Sequence, residues 1–371
     1  MSYTDIDKPE DYFNTKLYTG NGTTDYAITG VGFQPDFFWG KKRSASGSHF
    51  LVNNISGVGK HLHSDYNGAE TTFAEGVKSF DSDGVTIGTA GDINTNGATH
   101  VAWNWLASNT TASNTQGDIT STVSANTTSG FSIVSYTGTG STATIGHSLN
   151  SAPAMIIIKN RSSTENWIVY HSSEGATKHL KLNTTDASAT SSGTFNNTEP
   201  TSSVFTVNTN TNTNANGSNM IAYCFAEKKG FSKFGSYTGN GNADGTFVYT
   251  GFKPAVVICK KSSASGTNWG IIDNKRANSF NEISAMLNPN SSGTEGANNN
   301  CDFVSNGFKW RSSDGNSNTS GDTFIYMAFA SEPFTTSTGI PCTARWFVQT
   351  QNVKESFYPK GQIQIIVLYT V

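Results

Sequence analysis

The feature that most constrains this chain is a pattern written three times. Tyr18-Thr19-Gly20-Asn21-Gly22 returns as Tyr136-Thr137-Gly138-Thr139-Gly140 and as Tyr237-Thr238-Gly239-Asn240-Gly241. A proline follows each tyrosine at 17 residues (Pro35, Pro153, Pro254), and a lysine follows each proline at six (Lys41, Lys159, Lys260). Between proline and lysine runs an apolar stretch: Phe37-Phe38-Trp39, Met155-Ile156-Ile157-Ile158 or Val256-Val257-Ile258-Cys259. An aromatic then starts the next strand, Phe50, Trp167 or Trp269. The far end repeats too, as Val101-Ala102-Trp103-Asn104-Trp105, Ile221-Ala222-Tyr223-Cys224-Phe225 and Ile325-Tyr326-Met327-Ala328-Phe329. The last aromatic lies 87, 89 and 92 residues after its tyrosine. Repetition at a long period means one structural unit built several times.

The repeated runs are short, rich in Val, Ile, Phe, Trp, Tyr and Thr, and bounded by Gly, Asn, Ser and Pro, which is how strands read. A copy of about a hundred residues is too long for a propeller blade and long enough to carry a core of its own. The pattern predicts an all-β protein of three tandem β-sandwich units of jelly-roll, lectin-like type. They span 12–108, 109–230 and 231–334, after a leader at 1–11 and before a C-terminal β-hairpin extension at 335–371 that serves assembly or attachment. Residues 155–158, apolar throughout, predict a central strand buried on both faces. The Ser/Thr/Asn-rich stretch 109–130 reads as a linker that can hold the first strand of the second unit at 119–123. Helix is expected only as a turn or two at 69–76 and 280–287. Strands at 345–350 and 362–369 make the hairpin, and Trp346, Phe347 and Tyr358 are its candidate interface residues.

Charged residues make up 14 % of the chain, against roughly 25 % in an average soluble domain, and the net charge is −3. That surface lacks the basic field a nucleic-acid partner requires. Aromatics at 12 % argue against a chain held disordered by self-repulsion. No apolar run approaches the roughly 20 residues that span a bilayer, and the start lacks the basic and apolar regions of a signal peptide, so membrane insertion is not expected. Cys224, Cys259, Cys301 and Cys342 stand far apart with no Cys-x-x-Cys pair, which argues against a zinc site or disulfide framework and for synthesis in a reducing cytosol.

Several of these motifs act as a set: Tyr-Thr-Gly-x-Gly, Gly-Phe-x-Pro as in Gly32-Phe33-Gln34-Pro35, Lys-x-Arg-Ser as in Lys159-Asn160-Arg161-Ser162, Ser82-Asp83-Gly84, and the closing Ala-Trp or Ala-Tyr strand. Over 12–334 they resemble a repeat family of virion proteins from marine tailed bacteriophages of cyanobacteria and Pelagibacter-like hosts, of tail-fibre-like or concanavalin-A-like kind. The third unit departs from the pattern: Ser262 stands where the others have Arg43 and Arg161, and nothing matches Gly59-Lys60-His61-Leu62 and Thr177-Lys178-His179-Leu180. The resemblance implies a non-enzymatic, self-assembling structural protein on the virion exterior, a tail fibre or a head-attached decoration, made in the host cytoplasm. It implies other virion proteins as partners, a homo-oligomer with a trimer favoured, and no cofactor. The alternative is a receptor-binding lectin module that recognises host surface glycans.

Residue chemistry offers few catalytic candidates. Asp92-x-Asn94-x-Asn96-Gly97 matches the first half of a calcium loop, and Asn212-x-Asn214-x-Asn216 and Asp314-x-Asn316-x-Asn318 take corresponding places. Trp103 stands where calcium wants a bidentate acid, so Asp92, Asn94 and Asn96 read first as a turn between strands and second as metal ligands. His61 and His63 share a strand face with Asp65 close by, a polar face before it is a metal site. Glycoside hydrolysis needs two paired carboxylates. Asp81, Asp83, Glu165, Glu174 and Glu199 are not triplicated and supply no such pair. Trp39, Trp103, Trp105, Trp167, Trp269 and Trp310 are expected in cores, and the three repeated lysines at strand ends reaching solvent, with an inter-unit salt bridge as the other reading.

Overall fold

The computed structural model describes residues 4, 6–276, 281–297 and 300–333. Each repeat builds an antiparallel sheet on one plan. An opening strand (Phe13–Thr19, Phe131–Thr137, Ser232–Thr238) pairs with a closing strand (Thr99–Trp105, Asn219–Phe225, Thr323–Pro333). A central strand (Phe37–Lys42, Met155–Asn160, Phe252–Lys261) lies on the other side of the closing strand. Beyond it lies a flank strand (Phe50–Asn53, Ile168–His171, Gly270–Asp273). The two ends of each repeat therefore meet: Phe13 sits opposite Trp105, Phe131 opposite Phe225 and Ser232 opposite Phe329. Among the described residues no sheet takes strands from two repeats. The stretch after the first repeat is more than a spacer. It adds Ala112–Asn114 and Ser121–Asn126 to the second sheet, with Ile119 bridged to Ile145. The strand lies slightly later than its alternation suggested.

Each large sheet has two apolar faces. In the second repeat, Ile156, Ile158, Ala222 and Cys224 face the cover strands Ala143–Gly146 and Val204–Val207. Their neighbours Met155, Ile157, Tyr223 and Phe225 point the other way, into a core that all three repeats share. Alternation across a pleated strand puts both sets on one short segment, which explains the unbroken apolar run at 155–158. The first repeat has its own outer core beneath Tyr26–Thr29, Val77–Asp81 and Gly84–Ile87, and the third beneath Phe247–Tyr249, Cys301–Val304 and Gly307–Trp310. The expectation of three self-contained units is corrected here. A cover sheet buries one face of its partner, and the other face finds the neighbouring repeats.

Among the described residues neither expected helical turn is present. Thr71–Thr72 pairs with Lys60–His61 and is followed by a turn. Residues 281–287 run extended, with Ile283 bridged to Cys301, Met286 to Gly296 and Leu287 to Ile271. Bridging partners elsewhere in the chain outweigh a weak local preference for helix.

The triplicated Tyr-Thr-Gly loop is held by a buried clamp. The hydroxyls of Tyr18, Tyr136 and Tyr237 donate to the carbonyls of Ile93, Thr213 and Ser317 at 2.8, 2.6 and 2.7 Å. The next residue is each time a buried asparagine, Asn94, Asn214 or Asn318. Its Oδ1 accepts from the amide of Asn21, Thr139 or Asn240. Its Nδ2 donates to two loop carbonyls, Thr23 and Gly88, Ser141 and Asn208, or Asn242 and Ser312. A β-carbon on Gly20 would lie 2.3 Å from the Thr95 oxygen, and Gly22 has φ +70°, so both glycines are required. The clamp also corrects the register in the third repeat: Asn316 and Asn318, rather than Asp314 and Asn316, correspond to Asp92 and Asn94. Replacing Asn214 by Ala strands the Thr139 amide and two carbonyls. We expect a loss of about 3 kcal/mol, read as a lower urea midpoint at unchanged slope. The exposed Asn216→Ala should stay within about 0.5 kcal/mol.

Candidate functional site

The residues first considered for chemistry are used to hold loops. Asp92 Oδ1 accepts from the Ser48 amide at 2.9 Å, and Asn94 is the clamp just described. The Asn96 β-carbon packs against Gly22. Asp83 accepts from the amides of Gly30 and Gly32, Asp81 from the hydroxyls of Ser79 and Thr86, and Glu199 from the Tyr170 hydroxyl and the Ala176 amide. The rings of His61 and His63 do meet, 4.9 Å apart. His61 Nε2 bonds the Thr71 hydroxyl, His63 Nδ1 the His49 carbonyl, and Asp65 accepts from the His49 amide. Among the described residues no group of three or more His, Cys, Asp or Glu could hold a metal ion. Trp346, Phe347 and Tyr358 lie outside the described residues.

What the structure brings together instead is three seams, each joining one repeat to another by the same contacts. The amide of Glu70 donates to the Arg161 carbonyl, that of Ser188 to Ser262, and that of Glu295 to Arg43. The amide of Gly47 donates to Ser292, that of Glu165 to Asn67, and that of Gly266 to Thr185. Ring nitrogens cross the same seams. Trp167 Nε1 donates to the His63 carbonyl at 2.8 Å and Trp269 Nε1 to the Lys181 carbonyl at 2.9 Å. His49 Nε2 meets the Asn288 carbonyl at 3.0 Å; its Nδ1 accepts from Trp39, which places the proton on Nε2. First touches third, second touches first, and third touches second, so the contacts close a ring with threefold pseudo-symmetry. At its centre the last aromatics of the repeats, Trp105, Phe225 and Phe329, form a triangle with centroids 6.0, 6.0 and 6.3 Å apart, every pair edge-on.

Three sequence readings change at these seams. The counterpart of Trp167 and Trp269 in the first repeat is His49, not Phe50: Phe50 pairs with Gly40 as Ile168 pairs with Ile158. An imidazole does the work of an indole N–H, and no aromatic match reveals it. The lysines do not reach solvent. Lys41, Lys159 and Lys260 are fully buried, because the neighbouring repeat covers the strand end. Lys41 Nζ donates to the carbonyls of Lys42 and Gly293, and Lys159 Nζ to those of Asn160, Glu165 and Asn67. The third departure explains Ser262. Arg43 pairs with Glu295 at 2.8 Å and Arg161 with Glu70 at 2.7 Å. At the remaining seam both partners are replaced, Ser262 facing Ser188. Burial pushes the nearby Glu174 carboxyl up, but hydrogen bonds from Ser262, Ser188 and Lys178 hold it below its usual value.

The first–third seam has in addition a buried ionic network. Arg276 Nε meets Asp273 Oδ2 at 2.6 Å with both side chains fully buried, and Arg276 Nη1 meets Glu295 at 3.0 Å. Trp103 Nε1 donates to the same Asp273 oxygen at 3.0 Å, and the guanidinium lies 5.3 Å from the Trp103 ring centre. The molecule is thus an all-β protein whose sheet-bearing repeats close a ring within one chain. Residues 8–333 match the family described as a domain of unknown function (DUF7483), and the chain belongs to that family. No curated protein and no solved structure matches it.

Burial sets the pH response of this body. It holds His61, His100 and His171 down to about 4, lowers His147 and His179, and holds His49 well below the usual imidazole value. An unfolded imidazole titrates at about 6.5. Below that pH the unfolded chain binds protons the native chain refuses, so stability falls as pH drops towards 4. Burial raises Asp36 to about 6 and raises Asp65, and these two act in the opposite sense. The lysines, pushed by burial down to about 8, bind protons less well than in the unfolded chain, so they add stability as pH rises past 8. Calorimetry at constant ionic strength should give a Tm that falls steadily from about pH 8.5 through 7 to 5; a Tm highest at pH 5 would contradict it.

Proposed function

We propose that the chain is a non-enzymatic structural protein on the exterior of a tailed bacteriophage virion, a tail fibre or a head-attached decoration, made in the host cytoplasm. Each repeat is taken as a β-sandwich of the jelly-roll, lectin-like kind. The observation that best supports this reading is the completeness of the threefold body. Its large aromatics and its seam lysines and histidines are spent on holding repeats together, as suits a rigid, protease-resistant exterior part. Low charge suits a surface that works in salt, where ionic contacts are screened. Fibres commonly place three chains around an axis, and here one chain supplies three units. Self-association of whole chains, a trimer by the resemblance, and attachment to other virion proteins then fall to residues outside this body, 335–371 among them.

A second reading, receptor binding through surface glycans, is favoured by one feature. Phe247 and Tyr249 are 45 % and 56 % exposed on the outer face of a cover strand. The other repeats carry Ala27 with Thr29 and Thr144 with Gly146 there, and aromatic faces stack on sugar rings. Density-gradient-purified particles of a phage that encodes this chain should hold it at fixed stoichiometry, with antibody labelling their outside in electron micrographs. Abundance in infected lysate but absence from particles would overturn the proposal.

A further inference from the structure

The three seams are built from matched contacts, so each serves as a control for the others. The central triangle is nearly regular and the paired backbone bonds recur, so the shared apolar core does not tell the seams apart. Charged contacts do. At the first–third seam Arg43 donates twice to Glu295, and Trp103 Nε1 reaches the buried Asp273–Arg276 pair. At the first–second seam Arg161 donates twice to Glu70. Such two-pronged, charge-assisted bonds are the strong ones. Across the second–third seam every donor among the described residues is neutral. These donors are backbone amides, the ring N–H groups of Trp269 and His171, and the Ser262 hydroxyl, which bonds Glu174. The half-exposed Lys233–Glu227 pair nearby ties the third repeat to its own connecting segment. The buried lysines divide in the same way. Lys41 Nζ has the Gly293 carbonyl from the third repeat at 2.9 Å, and Lys159 Nζ has that of Asn67 from the first at 3.1 Å. Lys260 Nζ is as deeply buried, yet among the described residues it meets only the carbonyl of the adjacent Lys261, at 2.8 Å. Next to Gly266, which bonds across this seam, the Thr267 hydroxyl is buried without a partner. A buried ammonium met by so few acceptors is held against its desolvation, and hydration relieves it.

We propose that the second–third seam is the gate of the ring: it opens while the other two seams stay closed. The third repeat then remains docked on the first through Arg43, Glu295 and the Asp273–Arg276 pair, and turns away from the second about the short connection at 226–231. Opening breaks neutral bonds only, hydrates Lys260, and bares the inner faces that carry Trp167 and Trp269. The connection keeps the two repeats tethered, so the seam recloses without having to find its partner. Opening at either other seam would instead separate a half-buried arginine from its carboxylate. Parts of a fold that open below the global unfolding free energy are those held by the fewest strong contacts, and the gate fits that description. It stands whether or not the chain belongs to a particle.

The test is native-state hydrogen exchange on the full chain, read at six matched amides and corrected for their intrinsic rates. Ser188 and Gly266 report the gate; Glu70 and Glu165 report the first–second seam, and Glu295 and Gly47 the first–third. The gate amides should be at least about tenfold less protected than the other four. Urea should lower their protection with a slope clearly above zero and well below that of the slowest amides, because opening exposes an interface and not the whole core. Lys260→Met, which removes the poorly met ammonium, should raise protection at Gly266 about fivefold. Lys159→Met removes a contact that crosses its seam and should lower protection at Glu165. The proposal fails if the six amides are protected alike, or if either other seam is the least protected. It fails if exchange at Ser188 and Gly266 does not respond to urea, which would mean local fraying. It also fails if Lys260→Met lowers protection at Gly266, which would mean the ammonium holds this seam shut.

Discussion

A strand that is apolar on both faces cannot be satisfied by one covering layer, and the molecule follows from that constraint. The closing strands carry Val101, Trp103 and Trp105 on one side and Ala102 on the other, with the same division at 221–225 and 325–329. In the first two repeats small side chains, Ala102 or Ala222 with Cys224, face the cover strands, while in the third Tyr326 lies there beside Ala328. The large apolar side chains on the other side face inward, where only the other two repeats can bury them. Three sheets meeting along those faces make a common core centred on Trp105, Phe225 and Phe329, and no repeat can keep its inner face dry alone. Burying one such aromatic is worth roughly 1.5–3 kcal/mol, so the shared core outweighs any single polar contact at the seams.

The polar seams determine which repeat sits beside which. Backbone bonds repeat at all three, and ring N–H donors from His49, Trp167 and Trp269 reach across them. Beyond these, each seam differs. Two carry Arg–Glu pairs, and one of those adds the fully buried Arg276–Asp273 pair; the third carries serines on both sides. A repeat docked at the wrong seam would set a half-buried arginine against a serine in place of its carboxylate, and losing the partner of such a charge costs about 1–3 kcal/mol. The three lysines are tolerated in the interior because backbone carbonyls meet their ammonium groups.

Much of this was legible in the sequence. The apolar runs, the turn glycines and the buried tryptophans follow from period and composition, and Trp103 and Trp105 share a face as alternation requires. The expectation for Lys41, Lys159 and Lys260 failed because a strand end reads as exposed unless another repeat is known to lie over it. His49 was missed because residues of different shape perform one task, donating a ring N–H across a seam. Asp314 misaligned the third loop because an Asp-x-Asn-x-Asn string matches at two registers, and only the partner of Tyr237 selects one. No sequence pattern states that an apolar face belongs to a neighbour's core. The unmatched Ser262 was a clue to a seam, though its counterpart Ser188 could be found only in three dimensions.

The claim that the repeats are one cooperative body is tested most directly by native-state hydrogen exchange on Phe225→Ala. This substitution removes one corner of the central triangle and should cost about 3–5 kcal/mol. If the core is shared, protection of the slowest amides in the central strands Phe37–Lys42, Met155–Asn160 and Phe252–Lys261 falls together by the same free energy. If protection falls in the second repeat alone while the first and third keep theirs, the repeats are independent and the account is wrong.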